Sequence, residues 1–112
     1  MQEEVTGKKR DVLSREVEII GTITFNNELL IDGRVEGEIH SGGVLTVGHN
    51  GEVKGDIKTK SITVFGKVIG DILASDRCDF KDASYVEGDV KAGRIAVEEG
   101  AILKGSMTTG VK

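Results

Sequence analysis

Two histidines, one cysteine and a row of carboxylates are the side chains of this chain with the chemistry for catalysis or ligand binding. His40 and His49 would serve as a base or as metal ligands. A catalytic zinc ion takes three protein ligands and keeps one position open, and no third nitrogen ligand joins these two imidazoles. His49 falls in the turn-forming run His49-Asn50-Gly51 and His40 just past an alternating stretch, so both read as solvent-facing turn residues. The carboxylates Glu38, Asp56, Asp71 and Asp89 each follow a glycine, with Thr22 and Ser106 in the outermost equivalent positions. Acid–base work needs two carboxyls converging on a substrate, whereas a row at near-constant spacing marks a repeated unit. Glycine-rich loops that would cradle phosphate before a helix are missing. Phe25, Phe65, Phe80 and Tyr85 are too scattered for a base-stacking platform. The residues point to a non-catalytic protein with no cofactor.

The carboxylate row belongs to a unit of an apolar residue, any residue, glycine, a polar residue and a second apolar residue. It occurs at Ile19-Ile20-Gly21-Thr22-Ile23, Val35-Glu36-Gly37-Glu38-Ile39 and Val53-Lys54-Gly55-Asp56-Ile57. Val68-Ile69-Gly70-Asp71-Ile72, Val86-Glu87-Gly88-Asp89-Val90 and Leu103-Lys104-Gly105-Ser106-Met107 complete the set. First members stand 16, 18, 15, 18 and 17 residues apart, and such self-similarity signals a repeat architecture. A second apolar pair falls between units, at Leu29/Ile31, Leu45/Val47, Ile62/Val64, Cys78/Phe80 and Ile95/Val97. Cys78 thereby joins an inward apolar column and reads as a small buried hydrophobe.

Apolar positions two apart, rich in β-branched residues, predict short half-buried strands and not helices. Corners of three or five residues are too short and too evenly phased for a hairpin sandwich, but they suit a chain coiled so that like stacks on like. The predicted fold is all-β, a single-stranded parallel β-helix of about six rungs, roughly 25–30 Å long at ~4.8 Å per rung. Each glycine shares parity with its apolar neighbours, marking a corner or a place too narrow for a β-carbon. Outside, the acidic row runs beside His40, Lys58, Leu73 and Lys91. Stacked like charges are destabilising; the wall reads as a solvated, mixed-charge surface, and its functional reading is a docking stripe for a basic partner or a cation.

At 112 residues the chain makes one domain, divided into a flexible N-terminal segment over 1–14, the coil over 15–107 and a short tail over 108–112. A net charge of −4 with 30% charged residues gives no bulk case for nucleic acid. No apolar run reaches the roughly 20 residues of a membrane span, and no secretory signal is visible. A single cysteine fits a reducing cytosol. Proline is absent beside sixteen glycines, as expected where every residue donates to a ladder. Lys8, Lys9 and Arg10 could make weak contact with anionic lipid.

A solenoid needs polar caps, or its terminal rungs present apolar core and unpaired edges. Only Thr-Thr-Gly-Val-Lys follows Met107, and Val12, Leu13 and Val17 precede Ile19 without a polar lid. Both ends are therefore expected to be open and to stack on further copies, with Val17, Ile19 and Ile23 at one end and Leu103 and Met107 at the other. If each end pairs with its own kind, the filament has no polarity.

The runs Leu30 to Gly37, Gly51 to Ile57, Val64 to Ile72 and Ile95 to Ala101 resemble the bactofilin family, with a match over about Glu18 to Met107. The resemblance implies a right-handed β-helix with a triangular core. It implies a bacterial cytoplasmic cytoskeletal protein, lying at the inner face of the membrane, that polymerises without nucleotide into apolar filaments and bundles. It further implies a scaffold for cell-wall enzymes or other membrane-associated proteins, and a critical bulky apolar residue in the last rung, matched here by Leu103. Many such proteins begin with a short apolar membrane-targeting stretch, for which Gln2-Glu3-Glu4 is a poor substitute. Two other readings are a non-polymerising binding module with flat charged walls and a left-handed acyltransferase-like enzyme. The latter keeps six-residue steps and a constant 18-residue turn, whereas Val53 to Val68 is 15 residues.

Overall fold

The computed structural model describes residues 10–13, 18–25 and 27–109. It contains twelve strands: β1 (Arg10–Leu13), β2 (Glu18–Phe25), β3 (Glu28–Ile31), β4 (Arg34–Ser41), β5 (Val44–Val47), β6 (Glu52–Val64), β7 (Lys67–Ile69), β8 (Ile72–Phe80), β9 (Tyr85–Glu87), β10 (Val90–Val97), β11 (Ile102–Lys104) and β12 (Met107–Thr109). All pairings are parallel and link successive turns of a solenoid of about five turns. Equivalent positions stack without slippage: Ile19 on Val35 on Val53 on Val68 on Val86 on Leu103.

Each turn has three faces, which gives the triangular section. The first carries the residue before the corner glycine, as at Val35. The second follows the glycine, as at Ile39, and the third holds the Leu45/Val47 pair. Inward side chains from all three faces form one buried column of aliphatic residues, with Phe25 and Phe80 the largest. Cys78 sits fully buried among them, as its parity predicted.

The corner between the first two faces explains the glycine row. Gly55 has a φ of 135°, and a β-carbon there would overlap the carbonyl oxygen of Gly37 one turn earlier. The same conformation recurs at Gly21, Gly37, Gly70, Gly88 and Gly105. An L-residue strains in that region, and the turns stack too closely for a side chain, so both readings of the glycine hold.

The other corners absorb the irregular period. The first two faces keep a four-residue step between apolar positions, while the corner leading back to the first face is long or short. Asp32 Oδ1 accepts from the Asn50 amide at 3.3 Å, tying a short corner to the long one after it, and Glu98 Oε1 accepts from the Asp82 amide at 3.0 Å, tying two long corners together. Between the second and third faces, β8 carries an extra residue opposite Lys60 and Gly93, where the register shifts. Thr59, buried beside this bulge, has its hydroxyl within 3.0 Å of the Gly43 carbonyl and 3.1 Å of the Ser61 carbonyl.

The segment set aside as flexible, 1–14, includes β1, which pairs residue for residue with β3, Leu13 opposite Ile31. The physical reason is the exposed edge of β3, whose backbone groups take a parallel partner that brings Leu13 into register with the Ile31 column. At the other end β12 runs through Thr109, two residues into the expected tail, because Thr109 still has Ala92 to pair with.

Candidate polymerisation interface

The last turn exposes core residues that every earlier turn buries. Ile95 and Leu103 close their inward columns, half-buried and packed against the core. Val97 and Met107, the last members of two more inward columns, are 47% and 49% exposed, and Ile102 is 51% exposed. Their stacking partners one turn back, Phe80 and Val90, are 0% and 1% exposed. Among the described residues, strands β11 and β12 each have a partner on one side only, and Arg94–Val97 of β10 pairs only with β8. This end thus combines apolar side chains with unpaired backbone donors and acceptors, the two groups that a further strand layer would satisfy.

The opposite end is built differently. Ile19, Ile23 and Phe25 are each no more than 1% exposed. What β2 offers is its backbone: among the described residues it pairs with β4 alone, as β1 pairs with β3 alone. Val17, Lys8 and Lys9 lie outside the described residues. Arg10 opens β1, opposite Glu28. Of the residues singled out for assembly, the structure therefore brings Leu103 and Met107 together on one end and puts Ile19 and Ile23 in the core. Val97 and Ile102 are exposed on the same last turn. Val97 was legible as the last member of its column; Ile102 has outward parity and shows only as an apolar residue where Tyr85 and Lys67 precede it in the stack.

The chemistry-bearing residues are dispersed. His40 Nε2 lies 3.9 Å from the Glu38 carboxylate, and the exposed His49 ring packs 5.1 Å from Phe65. No group of three metal-ligating side chains occurs among the described residues. Burial first, and then the Asp79 carboxylate, push the Cys78 thiol up to about 12. The Asp82 amide, followed by Lys81, holds the exposed Glu98 carboxyl below its ordinary value.

Residues 11–108 match the family model for bactofilin, described as polymer-forming cytoskeletal. The chain belongs to the bactofilin family. Bactofilin BacO of Myxococcus xanthus (strain DK1622) is 37% identical over 101 residues, covering 90% of this chain and 80% of BacO. Bactofilin BacP of the same strain is 31% identical over 99 residues, covering 88% of this chain and 41% of BacP. A cryo-EM reconstruction of Thermus thermophilus bactofilin double helical filaments superposes with a TM-score of 0.84 at 27% identity, over 88% of this chain and 98% of that one. Bactofilins are bacterial cytoskeletal proteins, a structural class and not an enzyme class. No helix of the described residues is long and apolar enough to cross a membrane.

Proposed function

We propose that this bactofilin assembles end to end, without nucleotide, into filaments that have no polarity and that pair sideways as those of the Thermus relative do. The observation that carries the reading is the last turn, with Leu103, Met107, Val97 and Ile102 against unpaired strand edges. Apolar surface finds its best partner in equally apolar surface, and the opposite end offers backbone but buried side chains. Like therefore meets like: the end carrying Leu103 joins a second copy of itself through an isologous contact. The ends carrying Val17, Ile19 and Ile23 join through their free edges. None of these contacts calls on a bound nucleotide.

Such a filament serves as a scaffold for cell-wall enzymes or other membrane-associated proteins at the inner face of the cell membrane. Lys8, Lys9 and Arg10 add a weak electrostatic contact with anionic lipid, about 1 kcal/mol each at the surface.

The test is negative-stain microscopy and sedimentation of the purified protein without nucleotide. Leu103→Arg places a charge in the contact and is expected to leave short soluble species at concentrations where the parent forms filaments. Because Leu103 also packs on the core, Met107→Glu, at a more exposed position, is tested beside it, with circular dichroism confirming the fold of both. Filaments of ordinary length in both variants would sink the assignment of this end.

A further inference from the structure

We propose that two filaments of this chain pair through the second face of the coil, using two oppositely charged columns, with the facing rods pointing the same way. The proposal rests on the filament reading above. On this face the acidic column Glu38, Asp56, Asp71 and Asp89 runs beside the column His40, Lys58, Leu73 and Lys91, two residues along each strand. A shallow groove lined by Asp56, Lys58, Asp71, Leu73, Asp89 and Lys91 lies between them, and all six are exposed. Among the described residues, none of Asp56, Asp71, Asp89, Lys58 and Lys91 enters an ion pair within the chain.

The other two faces differ. On the first, charges alternate along the stack, with Arg34 3.4 Å from Glu18 and 3.8 Å from Glu52. On the third, Arg77 pairs with Asp79 at 2.8 Å, among Thr46, Thr63 and Ala96. The third face also stacks Arg94 on Arg77, but among the described residues the second face alone carries a run of four like charges, Glu38, Asp56, Asp71 and Asp89, a repulsive arrangement that opposite charge from outside would relieve.

Geometry then selects a second copy and its direction. Two such faces related by a two-fold axis parallel to the rods place each acidic column over the other copy's basic column. Asp56 meets Lys58 of the other copy, Asp89 meets Lys91, and Leu73 lies over Asp71, the two Leu73 side chains falling on opposite sides of the axis. Turning one rod end for end instead lays acid over acid and base over base. Direction is therefore read by charge. The columns become neutral at both ends, with Thr22 and Ser106 in one, and Thr24 and Thr108 in the other, which leaves the end contacts undisturbed. A face this narrow falls short of the roughly 1,000 Å² of a stand-alone interface. Successive subunits of two filaments engage together, so the contact adds along the polymer.

The test compares Asp56→Lys with Asp89→Lys in one variant, and Lys58→Glu with Lys91→Glu in another, by microscopy at low salt. Each variant alone is expected to form single filaments, because each face becomes largely one sign, and mixing the two preformed populations restores pairs. Sodium chloride at 1 M, where screening reaches about 3 Å, is expected to separate parental pairs while leaving filaments long. The neutral variant Asp56→Asn with Asp89→Asn should separate at lower salt than the parent. Paired filaments in either charge-reversed variant, or single ones after mixing, would overturn the charge-read contact and assign the stripe to a cation or a different protein. Parental filaments that stay single at low salt would overturn it too. No filaments at all in the parent is a separate outcome that removes the end-to-end reading beneath it.

Discussion

Single positions divide sharply by whether they touch the backbone of the next turn. Gly55→Ala forces a left-handed conformation on an L-residue and sets its β-carbon against the Gly37 carbonyl. A loss of roughly 2–3 kcal/mol is expected, seen as a fall in Tm of about 10–15 °C. Gly42→Ala, at an exposed corner outside that column, should stay within about 0.5 kcal/mol of the parent. Cys78 gives a pH signature. Its thiol titrates at about 12 in the folded chain against an ordinary 9.0, so the folded state holds on to the proton. The stability tied to that proton is fully present below pH 9 and is lost as pH rises from about 9 towards 12. The advantage of the parent over Cys78→Ala should therefore narrow across that window in denaturant titrations; an advantage independent of pH would contradict a buried, neutral thiol. The glycine row was readable from parity alone. That it combines a positive φ with a close carbonyl was not, because sequence spacing carries no distance between turns.

At the level of the strand, inward columns carry the stability and outward ones decorate it. Phe80→Ala removes one of the two largest buried side chains and is expected to cost about 3–5 kcal/mol. Arg34→Ala breaks contacts with Glu18 and Glu52, but both long partners of the shorter contact stand in solvent. A cost below about 1 kcal/mol is expected there. Chemical denaturation of both variants measures the contrast. Apolar pairs two residues apart defined the faces, so every strand with such a pair was foreseeable. β1 was not, because Arg10-Asp11-Val12-Leu13 lacks the alternating pair and forms only against the waiting edge of β3. The extra residue in β8 was equally silent, since Ser75 and Asp76 carry no apolar mark.

For the whole molecule, stability runs along a line in which each turn leans on its neighbours. Amides of β11 and β12, with a partner on one side among the described residues, should exchange faster than those of the middle of β6, which is paired on both sides. Polymerisation should slow exchange in Ile102–Lys104 and Met107–Thr109 while leaving β6 nearly unchanged. Hydrogen exchange on filaments and on Leu103→Arg checks this, and equal protection of both regions would place the end-to-end contact elsewhere. The open Leu103 end was visible in the sequence as the end of a column. The buried state of Ile19 and Ile23 was not, because column position alone does not report what covers the first turn. A last consequence lies in the stacked glycine corners. Each turn enters and leaves them in one backbone conformation, so turns are interchangeable spacers, and a coil with one turn more keeps both its ends. The subunit is a ruler graduated in steps of about 4.8 Å, and the repeat of its filament changes only by whole graduations.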